Sequence, residues 1–222
     1  MKRLSFYLLY LFSPAIPSLL FYNSTGGFFD AYTLSVLLGV YAFVLLCNQL
    51  LLASRPGFAV AAMGIKGLLA LHASAPIFIL AMAIAHRILK DESGFDLRST
   101  QAMIGAVVLA VFFVASIAAF LLIANVRPPL GTKLRTLRGW VEKTFKLGYK
   151  ASRSFHAITV LALVALAVHV SLASSASFAG NPLGTTWLGT WLAISLGMFI
   201  RYRIRGRPTP KIGIQTHQPT NT

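Results

Sequence analysis

The chain has 222 residues, of which 56% are hydrophobic and only 11% charged, with a net charge of +15. A water-soluble domain of this length carries roughly a quarter charged residues, so the soluble globular class is excluded and an integral membrane protein is indicated. The mean hydropathy of +0.72 agrees, and a single cysteine, Cys47, excludes an internal disulfide, a cysteine-built metal site and an iron–sulfur cluster.

A membrane-crossing helix needs about 20 mostly apolar residues. Six segments qualify: Leu4–Tyr22, Ala31–Ala53, Gly67–Leu89, Gln101–Ala124, Ser154–Ala173 and Leu183–Tyr202. The predicted fold class is therefore all-α, an integral membrane six-helix bundle over residues 1–205. The tail, 206–222, is polar and Pro-rich and is expected to be disordered. The first segment follows Met1-Lys2-Arg3 but lacks a small-x-small cleavage site, so it reads as a retained helix. Pro14 and Pro17 predict a kink in it that neighbouring groups re-satisfy. Cys47 falls in the second segment and reads as a small packing residue.

The connections set the orientation. Lys2, Arg3, Arg55, Lys66, the eight bases between Arg127 and Arg153, and Arg201, Arg203, Arg205, Arg207 and Lys211 all fall on one side of a six-helix topology. That side holds seventeen of the twenty Lys and Arg residues, and the other side holds Arg87, Lys90 and Arg98 with the acids Asp30, Asp91, Glu92 and Asp96. The asymmetry predicts cytoplasmic termini. It also accounts for the basic balance without nucleic acid, which is not expected as a partner; the lipid bilayer is. The longest connection, Asn125–Arg153, mixes bases with Trp140, Phe145 and Tyr149 and reads as an interfacial helix on anionic headgroups. Asp91, Glu92 and Asp96 read as an ordinary solvated loop.

Four of the five histidines lie in two of the apolar segments: His72 and His86 in the third, His156 and His169 in the fifth. The fifth histidine, His217, lies in the polar tail. An ionisable side chain at membrane depth needs a partner. The offsets are 14 and 13 residues, so the histidines of each helix stand about 21 and 20 Å apart along its axis. Both helices run in the same direction, so His72 and His156 share the cytoplasmic level and His86 and His169 the outer level. A rotation of 100° per residue returns His86 to within about 40° of the face of His72, whereas His169 ends about 140° from that of His156. Zinc would be left under-coordinated by two histidines. Two axial histidines without another polar ligand suit a six-coordinate b-type haem, and the many alanines nearby leave room for a flat macrocycle. Two non-covalent haems b are the expected cofactors, with His72 and His156 as iron ligands of an inner haem and His86 and His169 of an outer one. Arg55 and Arg153 are candidate propionate contacts of the inner haem, Arg87 and Arg98 of the outer.

In these features the chain resembles the ferric reductase-like transmembrane domain family, the membrane part of ferric reductases and NADPH oxidases. The resemblance rests on six helices, on His-x13-His in the third (His72, His86) and His-x12-His in the fifth (His156, His169), and on LLASRPG with Arg55; it covers roughly residues 1–205. It implies two stacked b haems that carry electrons one at a time from the cytoplasmic side outward. Family members continue into flavin- and nicotinamide-binding domains, whereas this sequence runs only about 20 residues past its sixth segment; the expectation is either a separate cytoplasmic flavoprotein or quinol as donor, or a fragment of a longer flavin-containing protein, with an extracytoplasmic acceptor. The chain would then be an oxidoreductase component of a bacterial inner membrane. The alternative within redox chemistry is the haem-binding membrane subunit of a periplasmic reductase, as in methionine sulfoxide reductase systems. The alternative from another class is a transporter whose histidines relay protons, but no Asp or Glu lies at mid-membrane depth.

Overall fold

The computed structural model describes residues 2–122, 130–145 and 149–206, and the side chains among them except at 121–122, 130–131, 133–134, 141–142, 145 and 149–156. The described residues form helices and no strand. In chain order these are α1 (Lys2–Phe12), α2 (Ala15–Ser24), α3 (Ala31–Ser54), α4 (Gly57–Glu92), α5 (Thr100–Leu122), α6 (Leu130–Phe145), α7 (Tyr149–Ser171), a short 3-10 turn (Ser174–Ala176) and α8 (Pro182–Arg205). Among the described residues, five stretches are long and apolar enough to cross a membrane, where six were expected: Lys2–Ser24, Ala31–Ser54, Gly57–Glu92, Thr100–Phe120 and Pro182–Arg205. The described apolar part of α7, Ala157–Ser171, is a shorter helix. The expected tail from residue 207 onward, with His217, lies outside the described residues.

The outward surface is what a bilayer requires. Ile77, Phe78, Val107 and Leu161 are 64 to 70% exposed, on faces that a soluble bundle would make polar. The centre of the bundle is α3. Its span is 61% buried, against 11 to 33% for the other four. One face of α3 (Val36, Val40, Phe43, Cys47) packs with Phe21 of α2, Leu163 of α7 and Leu188 of α8. Another (Ala42, Leu45, Leu52) packs with Tyr10 of α1 and Leu68, Ala75 and Ile79 of α4. Cys47 is fully buried.

The first span is broken between α1 and α2 at the proline the sequence marks. Pro14 has no N–H for the carbonyl of Tyr10, four residues earlier. That carbonyl accepts instead from the Ser13 hydroxyl at 3.0 Å and, from α3, from the Asn48 amide at 3.4 Å. Asn48 also donates to the Ser13 hydroxyl at 2.8 Å and accepts from the Trp191 indole of α8 at 3.0 Å. One buried amide thus joins the kink to the central helix and to α8.

The second connection is shorter than its sequence implies. α3 ends on Arg55 in the left-handed region (φ 50°, ψ 55°), and the apolar run from Gly57 begins a new helix at once. A straight helix of 36 residues would be about 54 Å long, well beyond the roughly 30 Å hydrocarbon core. α4 is instead broken at Gly64, whose φ of 69° and ψ of 161° only glycine adopts readily. Its first part turns back over α1, with the Phe58 ring 6.4 Å from that of Phe6. Within the connection expected to lie on the headgroups there is a helix, α6, which is amphipathic and has Trp140 exposed.

Candidate functional site

The helices carrying the histidines pack on different neighbours, α4 chiefly on α3 and α7 chiefly on α5. Between them lies a cavity of about 2130 Å3 that runs the length of the bundle, from Lys90 and Phe95 at one end to Arg55, Lys66 and Arg203 at the other. Typical small-molecule sites occupy about 300 to 1,000 Å3, so this space has room for more than one large group. His72, His86 and His169 all line it.

His86 and His169 come together at one end. Their ring centres are 6.3 Å apart and their planes are inclined at 86°. Each ring is held in the same way. His86 Nδ1 donates to the Ser35 carbonyl of α3 at 2.7 Å, and His169 Nδ1 donates to the Gln101 carbonyl of α5 at 2.7 Å. A carbonyl can only accept, so each Nδ1 carries a proton, and in the neutral ring Nε2 then keeps a lone pair. Among the described residues neither Nε2 has a hydrogen-bond partner.

The distance has a chemical meaning. A metal–nitrogen bond of ~2.0 Å plus about 1.15 Å from nitrogen to ring centre, taken twice, gives about 6.3 Å for two imidazoles placed on opposite sides of one metal atom in a straight line. Among the described residues no group of three or more His, Cys, Asp or Glu could hold a metal ion.

Two glycines that the sequence reading passed over make the approach possible. A Cβ on Gly39 of α3 would lie 3.0 Å from His86 Nδ1, and one on Gly105 of α5 would lie 2.7 Å from His169 Cε1 and 2.8 Å from its Nδ1. Lys90 was also missed. It sits one turn beyond His86 and is 8% exposed, with its ammonium 4.0 Å from the Tyr32 ring centre and 4.9 Å from that of Phe95. It is a buried cation held by two aromatic faces. The sequence signal was available: His86 and Lys90 are four residues apart, on one helix face.

The other expected site residues fall as follows. His72 is half-buried and lines the cavity. Pro76, four residues on, cannot donate to its carbonyl. The backbones of Arg153 and His156 belong to α7, but their side chains lie outside the described residues, and with them the inner pairing and the 13-residue offset. Arg55 and Arg87 line the cavity at opposite ends. Arg98 is exposed in the α4–α5 connection, where its backbone N–H donates to Asp96 Oδ1 at 2.8 Å, and it is not among the residues around the cavity.

The ends of the helices agree in direction. Ser35 opens α3 and Gln101 opens α5, whereas His86 and His169 close α4 and α7. Asn181, which caps α8, donates to the Ser24 hydroxyl at the close of α2 at 3.3 Å. All of these meet at the histidine end, so successive spans alternate in direction. No protein-family model, curated protein or solved structure matches this chain.

Proposed function

We propose that this chain is a six-helix membrane protein that holds two b-type haems and conducts electrons from one face of the bilayer to the other. The observation that carries the reading is the His86–His169 pair. Two imidazoles, each with Nδ1 committed to a backbone carbonyl, stand with ring centres 6.3 Å apart, a separation that would suit one iron atom with a ring on each side. Orientation of the ligand ring through its other nitrogen is the usual support for a metal-binding histidine. The six-span count follows if α1 with α2 makes one span and the whole of α7 another.

In this reading His86 and His169 hold the outer group and His72 and His156 the inner one. When bound, such groups supply reversible one-electron exchange with no open coordination position for a substrate. The chain's own residues do the rest. Lys90 and Arg87 offer positive charge to anionic substituents at the outer end, and Arg55, Lys66 and Arg203 do so at the inner end. The apolar lining, with Val40, Leu80, Leu109, Phe112 and Leu166 among its residues, keeps water from the path. The excess of bases at the Arg55 end makes that end cytoplasmic. A soluble flavoprotein or a quinol is the donor, and the acceptor meets the outer end.

The test is the absorption spectrum of the full chain purified in detergent after expression with ample haem. Two haems per chain and a sharp α band on dithionite reduction are expected. His169→Leu and His86→Leu each remove about half of that band, and His72→Leu removes the other half. A colourless protein ends the reading. Loss of both haems in a well-folded His169→Leu variant refutes the assignment of separate sites.

A further inference from the structure

The two histidine contacts share one local design, although they occur on different helix pairs. In an α-helix the carbonyl of residue i accepts from the N–H of residue i+4. The Ser35 carbonyl is thus paired with the N–H of Gly39, and the Gln101 carbonyl with that of Gly105. Each carbonyl has a second lone pair, and each takes an imidazole N–H on it at 2.7 Å. The side chain that would obstruct that approach is the one at i+4, and in both helices it is absent. We infer that Gly39 and Gly105 are positioning residues: with the carbonyls of Ser35 and Gln101 they form two matching cradles that fix the tautomer of His86 and His169 and hold their planes near a right angle.

Close packing on a small residue is common between membrane helices, and it would explain a glycine anywhere along a contact. It does not explain why both glycines lie under a histidine ring, at the same offset from the carbonyl that the ring engages. Nor does it explain contacts of 2.7 and 3.0 Å, at or below the limit real Cβ atoms reach. Gly189 and Gly197 of α8 provide the contrast, since a Cβ on either would meet nothing within 4 Å; the close approach at Gly184 of the same helix is to its own capping residue, Asn181, and not to a ring from another helix.

The inference rests on the haem reading for its spectroscopic test and on the histidines alone for its chemical one. In a low-spin ferric haem with two imidazoles, the angle between the ligand planes governs the magnetic anisotropy. Near-perpendicular planes give one strongly displaced low-field feature, and near-parallel planes give a resolved three-line rhombic spectrum. The planes here stand at 86°. The part of the wild-type electron paramagnetic resonance spectrum lost in His169→Leu is therefore expected to be the single displaced feature. Gly105→Ala loses that feature or converts it to a rhombic one, Gly39→Ala shifts it less, and Gly197→Ala leaves it as in wild type. The signal of the His72 site is unchanged throughout, which a general loss of stability would not produce.

In haem-free full-length protein, 15N resonances of His86 and His169 are expected to report a proton on Nδ1 and a bare Nε2. A rhombic signal from the His169 site, or a wild-type signal in Gly105→Ala, overturns the inference while the haem reading stands. A chain that takes up no haem overturns the haem reading. The 15N spectra then decide the cradles, and a proton on Nε2 of either ring sinks them.

Discussion

Lys90→Met isolates the electrostatic consequence of placing a buried cation beside the histidine pair. Lysine and methionine have similar reach, and replacing a buried charge with an apolar chain of similar volume is neutral or favourable for folding. Lys90 stands one turn beyond His86 with its ammonium over Tyr32, which places it on the order of 10 Å from a metal between the rings. At an effective dielectric constant of about 20, a unit charge at that distance contributes roughly 1.7 kcal/mol. One electron more on the metal side is favoured by that amount, and at 59 mV per 1.36 kcal/mol this corresponds to about 70 mV. Removal of the cation therefore lowers the midpoint potential of the outer haem by several tens of millivolts, with solvent at the bundle end reducing the full figure. Lys90→Arg keeps the charge and holds the potential near wild type. An optical redox titration of the α band at fixed pH measures it, with the inner haem as internal reference. An unchanged or raised potential in Lys90→Met, with both haems retained, refutes the placement of this charge.

Two further outcomes follow from the packing. Asn48→Leu breaks the junction of the kink, α3 and α8: two good hydrogen bonds are lost, at about 0.6 to 1.7 kcal/mol each within a membrane bundle, so unfolding in mixed micelles becomes easier by roughly 2 kcal/mol, whereas Ser13→Ala costs less because the Trp191 bond survives. Asp30 caps α3 through Thr33 N–H at 2.7 Å, and that bond holds its carboxyl below the usual 3.8. The support it gives to the first turn of α3 is complete above that usual value and fades as pH falls through the lower folded value, so hydrogen exchange at Thr33 and Leu34 accelerates only under acid conditions, a response that Asp30→Asn abolishes.

Five of the six expected spans were legible because each is a local property: an apolar run of membrane length needs no knowledge of the other helices. The break in the first span was legible for the same reason, since Pro14 acts on its own helix. What compensates the break was not, because Asn48 and Trp191 lie 38 and 143 residues away from the groups they meet. The histidine site divides along the same line. The likeness in height of His86 and His169 follows from counting residues, but the carbonyls of Ser35 and Gln101 are 51 and 68 residues distant from the rings they hold. Gly39 and Gly105 carry no chemistry of their own, so nothing in the chain marks them until a partner helix is laid across them. Arg98 shows the limit from the other side. Its charge and its place in the connection made it a candidate, yet the cations that line the cavity at that end are Arg87 and Lys90, both carried on α4.

The polar groups of this bundle separate into two kinds, and the difference bears on function. Asn48, with Ser13, Trp191 and the freed Tyr10 carbonyl, forms a closed set in which donors meet acceptors. Such a set satisfies its members and needs nothing from outside. The histidine pair is half closed. Its donors are spent on backbone carbonyls, and its two acceptors are left beside an apolar cavity with no donor among the described residues. A structural role would be met by one hydrogen bond across a helix contact, and one histidine would serve. Two rings, each fixed by a backbone carbonyl on a different helix pair and both lining one cavity, are the feature on which the proposed reading rests.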